Sequence, residues 1–183
     1  MSNQVIDSYR FGGATLVYES TTYINNDDNS DMQDIYNIRY ANGCAIVSGS
    51  SLIGAKPTQM LVKMSVNGNP TGTMEGRIYS SATYYGGLGT LEETSSTTYD
   101  VSTFTTGDLV TFAFSGTYAL PANSAICVWY DNSSGDIANS CALRGYYSRT
   151  TDNAVQEQCE YNTTESWYRE NRYNTWFRME YVL

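Results

Sequence analysis

Apolar and polar positions alternate along residues 59–66, where Met60, Val62, Met64 and Val66 stand against Leu61, Lys63 and Ser65. A period of two puts one of these sets on a single face of a β-strand, against a core. Asn67-Gly68-Asn69-Pro70 then breaks the pattern. Glycine supplies a positive φ and proline fixes its own φ, so the chain must turn. Met74, Gly76 and Ile78 resume the alternation. The stretch from Val66 to Tyr79 therefore predicts two antiparallel strands and the turn between them.

The same reading predicts strands at Ala14–Tyr18, Ile35–Tyr40, Cys44–Ser48, Gln59–Val66, Met74–Ser80, Leu109–Ser115, Ala125–Tyr130, Cys141–Tyr147 and Thr175–Leu183. The breakers between them are Gly12-Gly13, Asn42-Gly43, Gly86-Gly87, Gly116, Pro121 and Ser133-Ser134-Gly135. No segment sustains a helical period beyond a turn or two. The expected fold is all-β: a two-sheet antiparallel β-sandwich of jelly-roll type with little or no helix. Residues 31–183 form a single domain in this reading, and residues 1–30 are an N-terminal arm or first strand. Residues 81–108 and 148–174 read as long loops, where a rigid sandwich carries its binding surfaces.

Composition supports the class and narrows the partners. Charged residues make up 16% of the 183 positions, and tyrosine alone contributes 17. Together with Thr, Ser, Asn and Gly, that suits strands facing water with hydroxyls and amides. The net charge of −9 argues against nucleic acid, whose phosphates need a basic face. Arg144, Arg149, Arg169, Arg172 and Arg178 gather toward the C-terminus, as a local basic patch or as scattered surface arginines. No apolar run is long enough to span a membrane. The first residues have neither the basic nor the apolar region of a signal peptide.

Several residue groups could carry chemistry. Asp27, Asn29 and Asp31 have the alternate spacing of a calcium loop, and Asp34 could add a further oxygen. The glycine and distal glutamate of an EF-hand are missing, so a bare solvated acidic loop stands beside calcium as a reading. Calcium is the one cofactor the sequence suggests. The aromatic set Tyr84, Tyr85, Tyr161, Trp167, Tyr168 and Tyr173, with Tyr146 and Tyr147, suits stacking on sugar rings or anchoring a protein interface. The same rings could instead cap the core edge or pair across strands.

The chain has no histidine, which removes Ser-His and Cys-His dyads. Glu75, Glu92, Glu93, Glu157 and Glu165 are available for a carboxylate-based glycosidase, but nothing marks two of them as a facing pair. The expectation is a protein that is not an enzyme. Cys44, Cys127, Cys141 and Cys159 lack metal-site spacing. They read as free buried thiols, with a Cys141–Cys159 disulfide as the alternative. Cys127 shares strand parity with Trp129, and both are expected to point into the core. Asn132-Ser133-Ser134 and Asn162-Thr163-Thr164 fit the glycosylation acceptor pattern, which so much Asn, Ser and Thr also produces by chance.

A longer pattern runs through these strands. Gly68-Asn69-Pro70-Thr71-Gly72-Thr73 leads to a strand ending Ile78-Tyr79, followed by Gly89-Thr90-Leu91 and Asp100-Val101-Ser102-Thr103-Phe104. Then come Val110–Phe114, Tyr118–Tyr130, Trp167 and Trp176–Tyr181. Over roughly residues 40–183 the order resembles a widespread family of jelly-roll modules. These occur in secreted and surface proteins of bacteria and archaea and in structural proteins of phages and archaeal viruses. The resemblance implies a non-catalytic role, and with no catalytic group and no signal peptide in a Tyr-, Thr- and Asn-rich β-sandwich the leading expectation is a virion structural protein (capsid, decoration or spike subunit) that self-assembles, located on the virion or an extracellular surface. Its partners are then further copies or other virion proteins. The alternative it implies is a carbohydrate-binding or host-adhesion module that meets cell-surface glycans.

Overall fold

The computed structural model describes residues 15–19, 39–82, 87–131, 137–147, 156–162, 167–170, 173–175 and 177–183, with side chains at 15–18, 40–82, 87–131, 137–144 and 178–183. Its strands are β1 (Leu16–Glu19), β2 (Arg39–Ile46), β3 (Lys56–Asn67), β4 (Thr73–Ser80), β5 (Thr90–Asp100), β6 (Leu109–Ala113), β7 (Ser124–Asp131), β8 (Ser140–Leu143), β9 (Gly145–Tyr147), β10 (Gln156–Asn162), β11 (Trp167–Glu170), β12 (Tyr173–Thr175) and β13 (Phe177–Val182). The only helical element among the described residues is a single 3₁₀ turn, Val101–Thr103.

Pairing follows one rule. β4 pairs with β5, β3 with β6, β2 with β7 and β1 with β13, all antiparallel. The chain is thus a long ribbon doubled back at the β4–β5 connection and rolled, so that alternate pairs fall in opposite sheets. The smaller sheet runs β1-β13-β3-β6, with β8 continuing along β3. The larger runs β11-β10-β2-β7-β4-β5, and β9 and β12 form a separate ribbon. This is the wrapped order of a jelly roll, two sheets packed face to face. β1 lies within the first 30 residues and is part of the sandwich, Leu16 opposite Tyr181.

The expected alternation decides which side chains fill the space between the sheets. Met60, Val62 and Met64 of β3, Phe112 of β6, Met74 and Ile78 of β4, and Ile126, Val128 and Tyr130 of β7 meet there, all but fully buried. The turn between β3 and β4 is fastened from outside itself. The Tyr130 hydroxyl donates to the Thr71 carbonyl at 2.6 Å, and the Val101 amide donates to that of Gly72 at 3.1 Å.

Four expectations change. Asn42-Gly43 is not a break, because β2 runs straight through it. A Cβ on Gly43 would lie 2.2 Å from the Ile126 carbonyl oxygen, so glycine here serves close approach of two strands rather than a turn. Residues 81–108 are not one loop, since β5 occupies eleven of them. Residues 148–174 likewise contain β10, β11 and most of β12. Cys127 and Trp129 do not face the space between the sheets; they lie on the opposite face of β7, in a second cluster with Ala41, Ala45, Tyr79, Ala82 and Ala125. Cys44, Cys127 and Cys141 are buried and reduced, so Cys141 forms no disulfide. The side chain of Cys159 lies outside the described residues.

Candidate interaction face

The outward face of the larger sheet collects the chemistry. β7 is apolar at nearly every position, buried in the order of residues 124–130 on both parities except for half-buried Trp129. A strand with both faces covered reads as a continuous apolar run. On its outward side Ala125 and Cys127 lie beside Ala41 and Ala45 of β2, a flat surface of small side chains. Ala82 and Leu88, from the connection between β4 and β5, pack onto it.

Trp129 stands at the border of that flat surface. The Tyr40 ring stacks on it at 5.7 Å between centroids and 17° between planes. The Arg77 guanidinium sits over the same indole, 4.1 Å from its centroid. Arg77 Nε donates to Glu75 Oε1 at 2.6 Å and its terminal nitrogen donates to the Tyr79 hydroxyl at 3.0 Å. β4 makes this set possible. Its even positions Met74, Gly76 and Ile78 go inward, so Glu75, Arg77 and Tyr79 emerge together on the outside.

The local environment fixes the protonation states. Burial alone would lower the Arg77 pKa, but hydrogen bonds to Tyr79 and Glu75 more than offset it and raise it above the ordinary value. The guanidinium therefore stays charged. Tyr79 is only 1% exposed. Burial, and after it the neighbouring Cys127, pushes its hydroxyl up to about 12. Tyr79 remains neutral and accepts from Arg77. Stacking of a cation on indole contributes about 0.5–1 kcal/mol at a half-exposed site, and an aromatic pair about 0.5–1.5 kcal/mol.

The register carries this border across the sheet. Thr98, Glu75, Trp129, Ala41, Tyr161 and Trp167 occupy one row over β5, β4, β7, β2, β10 and β11. Two of the expected aromatic residues, Tyr161 and Trp167, therefore belong to strands in the row of Trp129 rather than to a loop. Tyr168 follows on β11, opposite Glu160. Tyr173 is on β12, opposite Tyr147 in the separate ribbon. The side chains of these four lie outside the described residues, as do Tyr84, Tyr85 and the candidate calcium residues Asp27, Asn29, Asp31 and Asp34 in full.

Sequence reasoning missed Tyr40, Arg77 and Trp129 as a site. A usable signal was present: Ala125–Tyr130 is apolar on both parities, which is the mark of a strand covered on both faces. Of the candidate carboxylates, Glu75 is held by Arg77, Glu92 accepts from the Ser80 hydroxyl, and Glu93 accepts from the Ser115 amide. Glu157 and Glu165 lie outside the described side chains. Against known protein families, curated proteins and solved structures, the chain has no match.

Proposed function

We propose that the protein is a non-catalytic virion structural subunit, of capsid, decoration or spike type, that works by self-assembly. The observation that supports this reading is the Tyr40–Trp129–Arg77–Glu75 set on the outward face of the larger sheet. Trp, Tyr and Arg are the residues that anchor protein interfaces when held in a rigid, partly desolvated patch. Here they are fixed by strands and by one another before any partner arrives, which lowers the ordering cost of association. Closed symmetric assembly reuses one such patch on every copy. The wrapped strand order agrees with this role, being the architecture shared by viral capsid and lectin domains.

Light scattering over a concentration series tests the proposal. A defined oligomer is expected, weakened by Trp129→Ala and by Arg77→Ala. A strictly monomeric particle at high concentration overturns it.

A second reading is a carbohydrate-binding or adhesion module. It is favoured by the same indole, next to the Glu75 carboxylate and with the exposed hydroxyl of Thr98 in its row. Aromatic residues sharing one row with a carboxylate and a hydroxyl are the residue types that meet a sugar's C–H faces and hydroxyls. Binding on a glycan array, lost in Trp129→Ala or Trp167→Ala, is the expected result. No binding by the native protein removes this reading.

A further inference from the structure

Among the described residues, β6 is the edge strand of the smaller sheet, with β3 on one side only. No described strand pairs with the backbone groups on its other side, and such edges invite a strand from another molecule. In this fold they are met by side chains from β5, a strand of the opposite sheet. The Ala113 amide donates to Thr97 Oγ1 at 3.0 Å. The Tyr99 hydroxyl donates to the Thr111 carbonyl at 2.7 Å. Longer contacts of 3.4 Å run from Thr97 Oγ1 to the Thr111 carbonyl and from Ser96 Oγ to that of Ala113. The Ser115 amide, just past the strand, donates to the Glu93 carboxylate.

β5 is shaped for this contact. Its register against β4 slips between Glu75 and Arg77, leaving the Gly76 amide without a backbone partner in β5. Ser95 repairs the slip, accepting from that amide at 2.8 Å and donating to the Thr97 carbonyl at 2.6 Å. A Cβ on Gly76 would lie 2.8 Å from Phe112 Cβ and 2.9 Å from Phe114 Cζ, so the missing side chain brings the two sheets together at this end. Tyr99 then lays its ring edge-on against Phe112, with centroids 5.4 Å apart, and carries its hydroxyl to the β6 backbone.

We infer that the Ser96–Thr97–Tyr99 fringe is a lock that closes the β6 edge to strand addition by a second copy of the chain. Association is thereby directed to other surfaces of the sandwich. The proposed self-assembly gives the lock its purpose, but the lock itself stands on the hydrogen bonds alone. A hydroxyl donates and accepts at once, so one threonine serves an amide and a carbonyl that a foreign strand would otherwise take.

Amide hydrogen exchange and light scattering on Thr97→Val, Thr97→Ser and the Thr97→Val/Tyr99→Phe double variant test the lock. In the native protein the Ala113 amide is expected to exchange as slowly as the paired amides of β3. In Thr97→Val it is expected to exchange about tenfold faster, the effect of losing one hydrogen bond of ordinary strength. The double variant is expected to form larger species as concentration rises, while Thr97→Ser matches the native protein in both measurements. Fast exchange at Ala113 in the native protein overturns the inference, and so does unchanged protection in Thr97→Val. A folded double variant of native size at every concentration overturns it too. The readout is the difference between variant and native protein. A monomeric native protein would therefore end the assembly proposal without touching the lock.

Discussion

The two faces of the larger sheet solve different packing problems with the same strands. The inward face uses large residues, Ile46, Met74, Ile78, Ile126, Val128 and Tyr130, because it must fill the space up to Phe112 and Met60 of the other sheet. The outward face uses Ala41, Ala45, Ala125 and Cys127, with Gly43 where β2 and β7 come closest. Larger rings, Tyr40, Tyr79 and Trp129, appear only around it. Both faces are buried at β7, yet one is a space filled by volume and the other a flat surface covered by what lies on it. A lost methylene should therefore be felt strongly inside and weakly outside.

The sharpest test of that contrast is a pair of neighbours on one strand. Ile126→Ala opens a cavity between the sheets and should cost about 2–5 kcal/mol. Cys127→Ala, one residue along and equally buried, should cost nearer about 1 kcal/mol. Denaturant titration reads both, and equal losses would break the distinction. Next in size is Gly76→Ala, where the added methyl meets the Phe112 and Phe114 side chains. Overpacking of this kind costs about 1–3 kcal/mol. It should also raise amide exchange along β4 and β5.

At the outward border, Trp129→Ala removes a half-buried ring with its Tyr40 and Arg77 contacts. Its loss should fall below the about 3–5 kcal/mol of a fully buried aromatic. Arg77→Lys keeps the charge but not the planar stack, and should cost about 0.5–1 kcal/mol by the same titration.

The smallest effect is one of pH. The Tyr79 hydroxyl titrates near 10.0 in the unfolded chain and at about 12 in the fold. The folded state holds the proton more tightly, so this contribution is complete below the lower value and is lost as pH rises through the window. The difference in melting temperature between the native protein and Tyr79→Phe should shrink across that range. A constant difference would show that Tyr79 does not titrate differently in the two states.

How much of this was legible follows from where alternation is clean. β3, β4 and β6 show one apolar and one polar parity, and the period of two places each to within a few residues. Thr90–Asp100 is nearly all hydroxyl and carboxylate, so β5 reads as loop in the sequence. Among the described residues it is an edge strand, and its hydroxyls bond the β6 backbone across the seam, so it needs no apolar period. β10 and β11 escape sequence reading for a related reason. Gln156–Asn162 and Trp167–Glu170 mix Tyr, Trp and Cys with charge and amide in no simple alternation. The Asn42-Gly43 pair has the composition of a turn, and only the approach of β7 explains a glycine inside a strand.

Sequence alone determined that the chain is built of antiparallel strands, which residues share a face within each, and that the turn at residues 67–72 joins two of them. These are local consequences of a period of two and of the φ values open to glycine and proline. The tertiary structure decided which face of β7 meets the other sheet. Ile126 and Cys127 are both apolar, so pattern offers no preference, and only the volume between the sheets selects the larger side chains. It also decided that Tyr40, Arg77 and Trp129 stand together. They come from three strands, and only strand register brings them into one place.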